Sequence, residues 1–176
     1  MHRELWDGKK DHFKCVANLT IEHLGCKEWR DIDGEYQYTG KPEVELVYTG
    51  NDFVDKLYID TVKERKNIRT MTLRGHNALH FGEGQNFFTM RIPEISLVPA
   101  PYYLCVVSDT HEMEKFDIDL MTEQTETFAK LIEKIEHISA KELGKSDFYS
   151  FVKARSVAGG YDFSFKGFID KITSRR

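Results

Sequence analysis

Val44-Glu45-Leu46-Val47-Tyr48-Thr49-Gly50-Asn51-Asp52-Phe53-Val54-Asp55-Lys56-Leu57-Tyr58-Ile59-Asp60-Thr61-Val62 reads as a strand that passes at once into a helix. The run after Pro42, from Val44 to Tyr48, is short and mostly apolar, as a buried strand requires. From Asn51 onward Phe53, Val54, Leu57, Tyr58, Thr61 and Val62 recur at steps of three and four, the spacing of an amphipathic helix whose apolar stripe faces a sheet. Asn51 or Asp52 suits the N-cap. Residues 68–73 then alternate like a second strand, which gives a strand–helix–strand unit.

The flanking sequence extends the same logic. Upstream, 13–21 is apolar and β-branched and reads as a buried strand, with Glu22, His23, Leu24 and Gly25 at its C-terminal exit. Segment 27–41 carries enough turn residues to suggest a surface excursion with room for one short strand. Downstream come a glycine-punctuated loop over 75–84, a short helix over 85–90, and a proline-bounded apolar strand over 92–99 inside the sheet. A long helix is expected over 118–138, capped by Asp117 or Asp119, with Met121, Thr125, Phe128, Ile132 and Ile135 on its core face and Leu131 and Ile138 beside them. A helical piece over 147–154 and a looser tail follow. Strands alternating with helices predict an α/β fold with a largely parallel sheet. The expected division is a main α/β unit over 1–144, with a helix and tail over 145–176 packed on it.

Composition narrows the function classes. The 176 residues are 40% hydrophobic and 31% charged, as in an ordinary globular chain long enough for one real core. A net charge of −4 lacks the positive field that a phosphate backbone demands, so nucleic acid is not an expected partner. No apolar run approaches the ~20 residues that span a bilayer, and the charged start has no apolar core behind it. No membrane contact is expected, and a cytoplasmic location is. Cys15, Cys26 and Cys105 are odd in number and irregular in spacing, which reads as free thiols rather than a disulfide frame or zinc knuckle.

Three segments carry a resemblance. Ala17-Asn18-Leu19-Thr20-Ile21-Glu22-His23-Leu24-Gly25 is similar to a strand ending Asn-Leu-Asp-Met-Ile-Gly in the co-catalytic zinc exopeptidases of clan MH, the bacterial leucyl aminopeptidases and glutamate carboxypeptidase-like proteins. Residues 81–93, from Phe81-Gly82-Glu83-Gly84 to Arg91-Ile92-Pro93, resemble that family's Ser-Asp-His-x-x-Phe stretch followed by Gly-Ile-Pro. Asp109-Thr110-His111-Glu112-Met113-Glu114-Lys115-Phe116-Asp117 resembles its Asp-Thr-x-Glu-x-x-Lys-x-Asp run before the last helix.

The resemblance implies a three-layer sandwich, a mainly parallel central sheet flanked by helices, as the C-terminal part of a zinc exopeptidase-like fold. It implies a zinc cofactor and a peptide-like substrate. It places Glu22 on a zinc-ligand position; His111 and His23 are further metal candidates, and His80, Glu83 and Tyr103 are candidates for substrate contact. Each has a plainer reading: Glu22 as a solvated loop acid, His23 as a structural histidine, Glu83 as an exposed turn acid, and Asp109 beside His111 as a turn or cap. His76 and His80 have i, i+4 spacing, but no Glu follows His76 and the surrounding glycines oppose a helix.

Departures from the family are as informative. The family's His-x-Asp, bridging Asp and Glu-Glu pair lie upstream of anything matched here, and Leu104 stands where its final His belongs. The expectation is a truncated or incomplete hydrolase domain, inactive alone, with an exposed sheet edge that leaves the chain either a homo-oligomer or marginally stable. The alternative is a non-enzymatic binding or assembly module that presents the loop from His76 to Gly84 with Phe81, Phe87 and Phe88.

Overall fold

The computed structural model describes residues 15–74, 80–99, 101 and 112–144. Its main sheet has four strands in the order β1 (Asn18–Ile21), β6 (Glu94–Pro99), β4 (Glu45–Thr49), β5 (Thr70–Arg74). β1 runs parallel to β6 and β4 parallel to β5, whereas β4 and β6 are antiparallel. The sheet is thus mixed and mostly parallel. Helix α1 (Asp52–Val62) returns the chain from the end of β4 to the start of β5, the long crossover that a parallel pair needs. β6 starts at the end of the sheet where β5 finishes, so no crossover intervenes and it runs against β4.

One face of the sheet carries three of the helices. Val47, Ile95 and Leu97 project from β4 and β6 onto Val54, Tyr58 and Val62 of α1, Phe128 and Leu131 of α3 (Ile118–Glu136) and Leu143 of α4 (Ala140–Leu143). Each of these larger apolar side chains contributes about 1.5–3 kcal/mol when fully buried. The N-cap of α1 is Asn51, whose Oδ1 accepts from the Phe53 and Val54 N–H groups while its Nδ2 donates to Leu143 O at 2.8 Å. Asp117 caps α3 by accepting from Leu120 N–H.

The core face of α3 differs from the expected one. Leu120, Gln124, Thr127, Phe128 and Leu131 are buried, while Thr125 and Ile132 are exposed. A hydrophobicity count passes over Gln124, yet this amide holds two distant pieces of chain: its Nε2 donates to Glu45 Oε1 at 2.8 Å and its Oε1 accepts from Gly25 N–H at 2.7 Å. That demand turns the helix toward Gln124.

Segment 27–41 also differs, forming a two-stranded antiparallel hairpin, β2 (Lys27–Ile32) and β3 (Glu35–Pro42). Its turn is Asp33-Gly34 with φ of 56° and 85°, the two positive values of a tight primed turn. On one face Trp29 contacts Tyr36 and Tyr38, with ring centroids 5.7 and 6.1 Å apart. On the other, Arg30 grips Glu43 with both terminal nitrogens at 2.9 Å and reaches Glu28 at 3.0 Å. Among the thiols, Cys26 is buried and Cys15 half-buried, and Cys105 lies outside the described residues. The expected helix over 147–154 and the unit over 145–176 also lie outside them. No helix among the described residues is long and apolar enough to cross a membrane.

Glu28 generates a pH prediction. A hydrogen bond from Arg69, joined by Thr39 and the nearby Arg30 charge, outweighs burial and holds its carboxyl down at about 2. A depressed folded pKa contributes stability above the unfolded value of about 4.3, and that contribution is lost as pH falls toward the folded one. Glu28→Gln is expected to lower Tm near neutrality and to converge with wild type as pH approaches 2; a constant Tm difference across this range contradicts the assignment.

Candidate functional site

Residues 80–92 lie on the sheet face opposite α1 and α3. Strand alternation turns Tyr48 of β4 and Glu94 and Ser96 of β6 toward this side. His80 lies over them: its ring stacks on Tyr48 with centroids 4.1 Å apart, and its Nε2 is 2.6 Å from Glu94 Oε1. Next, Gly84 packs on Ser96, and α2 (Gln85–Thr89) brings buried Phe88 beside His80 at 5.7 Å. Residues 80–92 therefore form a flap that crosses the face of β6 and returns.

The bottom of the flap meets the exit of β1. Glu22 follows Ile21, its N–H bonds Leu97 O at 3.0 Å, and its Oε1 accepts from Glu83 N–H at 2.7 Å. Gly82 has a φ of 82°, and a Cβ there would run into the Glu22 carboxylate. Two segments 61 residues apart thus converge on one half-exposed carboxylate at the C-terminal end of the parallel β1–β6 pair. Such strand ends are where open α/β sheets place ligands.

Electrostatics divide this region. Burial pushes the Glu94 carboxyl up, with His80 pulling it back. Burial likewise raises the Tyr48 phenol, partly offset by a hydrogen bond from the Phe81 backbone. The Phe88 backbone also hydrogen-bonds the Glu94 carboxyl and pulls it down, and among the described residues Ser96 Oγ is buried with no hydrogen-bond partner beneath Gly84.

The expected site residues are distributed as follows. Glu22 and Glu83 come together. His80 is 4% exposed and faces the sheet. His23 is exposed with a φ of 50°, and its carbonyl accepts from the Cys26 thiol. His111, Tyr103, His76 and Asp109 lie outside the described residues. Of the three aromatics, Phe81 is 56% exposed, Phe87 half-buried and Phe88 buried. The sequence reading did not single out Glu94, Tyr48 or Ser96. Glu94 carried a signal nonetheless, because an acid inside a buried apolar strand needs a partner to offset its desolvation.

No protein-family model, curated protein or solved structure matches this chain. Function therefore rests on the site itself. Among the described residues no three His, Cys, Asp or Glu side chains converge as a metal site requires. The described donors thus do not fit a two-zinc centre.

Gly84 tests the flap packing. An added methyl meets Ser96 Cβ at 2.7 Å and Glu94 Oε2 at 3.1 Å as well as Ser96 Oγ. Gly84→Ala is expected to cost about 1–3 kcal/mol in urea unfolding, and Ser96→Gly in the same chain is expected to recover much of it. An unchanged midpoint for Gly84→Ala contradicts this packing.

Proposed function

We propose that this chain forms part of a zinc-exopeptidase-like hydrolase domain, a three-layer α/β sandwich acting on peptide-like substrates, and that its metal ligands are too few for turnover by itself. The observation that supports this reading is the contact between Glu22 and Glu83 N–H. It joins the two segments, 17–25 and 81–93, that resemble the family's metal-site strand and its following substrate stretch. The Glu22 carboxyl group at this strand end, with Glu83 adjoining it through its backbone, suits the free ammonium group of a peptide N-terminus, and Phe81 adds an exposed apolar ring for the first side chain. Zinc in such enzymes polarises the scissile carbonyl and activates water. In this chain Glu22 and Glu83 instead bind and orient.

A second reading, a non-enzymatic binding module, draws on the same exposed Phe81 beside two acids. Both readings place a peptide terminus at Glu22 and differ in catalysis.

Two measurements on the full purified chain test the proposal. With excess zinc and a panel of peptide and aminoacyl-anilide reporters, no metal-dependent release is expected. Turnover abolished both by chelator and by Glu22→Ala contradicts the proposed incompetence. Titration with a leucyl dipeptide is expected to shift the Phe81, Glu22 and Glu83 amide resonances. N-acetylation of that dipeptide is expected to abolish the shifts, and no response to either form removes the peptide site.

A further inference from the structure

We propose that the outer edge of β1 takes up an extended peptide as an added antiparallel strand, with the peptide's N-terminus at Glu22. This inference rests on the peptide-terminus reading of Glu22 and carries it along the neighbouring strand. β1 stands at one end of the strand order, and among the described residues only β6 pairs with it. Asn18 N–H donates to Pro93 O at 2.8 Å and Glu22 N–H to Leu97 O at 3.0 Å. Backbone groups alternate in direction along a strand, so those of Leu19 and Ile21 point the other way, past the edge of the sheet. Edges are commonly protected by charges or proline, yet neither interrupts residues 16–21, and Val16 and Ile21 are 40% and 43% exposed.

Charge selects the edge and the direction. β5, the other outer strand, has no acid among its residues, whereas β1 runs directly into Glu22. A parallel peptide would end with its own carboxylate beside Glu22, and like charges repel. An antiparallel one brings its ammonium group there instead.

The register follows from that anchor. With its first residue across from Glu22, the peptide sets its second residue across from Ile21 and its fourth across from Leu19, each pair exchanging two N–H···O bonds. The third residue faces Thr20 and turns its own N–H outward. Asn18 and Thr20 are joined by a hydrogen bond of 2.7 Å on the flap side, the side on which Glu22 meets Glu83, while Ala17 and Leu19 pack against the core. The first and third side chains of the peptide therefore fall on the flap side, where Phe81 is exposed. The second and fourth fall beside exposed Ile21 and half-buried Leu19, where apolar side chains fit. The ligand class is a peptide with a free N-terminus and apolar second and fourth residues, held chiefly through its main chain.

The probe is Leu-Val-Thr-Val-Lys amide, titrated into the full 15N-labelled chain beside the leucyl dipeptide. The longer peptide is expected to bind about tenfold or more tightly than the dipeptide, with the Leu19 and Ile21 amides gaining exchange protection and Val47 unchanged. N-methylation of the peptide at its second or fourth residue is expected to return the affinity to that of the dipeptide, whereas N-methylation at the third leaves it within about twofold. Equal affinity of all three methylated forms, with the dipeptide response retained, overturns the added strand and leaves the terminus reading standing. Loss of the dipeptide response as well removes both. Protection of Leu19 and Ile21 that grows with protein concentration in the absence of peptide assigns the edge to a second copy and also overturns the proposal.

Discussion

The Glu45 carboxylate is the point on which the described fold converges. It is 2% exposed at the start of β4, and four hydrogen bonds reach it. Arg65, just past α1, donates to both oxygens at 2.6 and 2.8 Å; Gln124 of α3 adds a third bond and Tyr58 of α1 a fourth. From there Gln124 extends to Gly25 in the turn after β1, and Gly25 O accepts from Asp117 N–H at the start of α3. Tyr58 in turn touches Thr70 of β5. A carboxylate taken out of water costs several kcal/mol unless its partners are all in place, so these elements are held as a set.

This arrangement gives the two sheet faces different roles. The helix face is closed by apolar packing and by the Glu45 cluster, and it fixes the strand positions. On the flap face the His80–Glu94 pair and the Gly84–Ser96 approach hold residues 80–84 against the sheet. Glu22 lies at the junction, fixed through its backbone to β6 and through its side chain to the flap.

Much of the fold was legible because it rests on periodicity. The α1 stripe, its Asn51 cap, the proline-bounded β6 and the long α3 follow from the spacing of apolar residues. What escaped the reading was set by polar groups at long range. Gln124 rotates α3 by serving Glu45 and Gly25, neither of which is near it in sequence. The antiparallel placement of β6 depends on where the flap ends, which no local pattern encodes. The hairpin at 27–42 was signalled by Asp33-Gly34, but the charged and turn-prone residues around it masked the strands. In the site, Glu22 and Glu83 were marked by resemblance, whereas the Glu94 partner of His80 becomes visible only once β6 and the flap are stacked.

The claim that Glu45 and its partners organise the fold is tested most directly by urea unfolding of Arg65→Met alone and together with Glu45→Met. Removal of the guanidinium by itself leaves a buried carboxylate without its ion partner, and a loss of about 3–5 kcal/mol is expected. Removing the carboxylate as well eliminates that unmet charge, so the double variant is expected to regain a substantial part of the loss. A single variant within about 0.5 kcal/mol of wild type, the range of an ordinary surface change, contradicts the account.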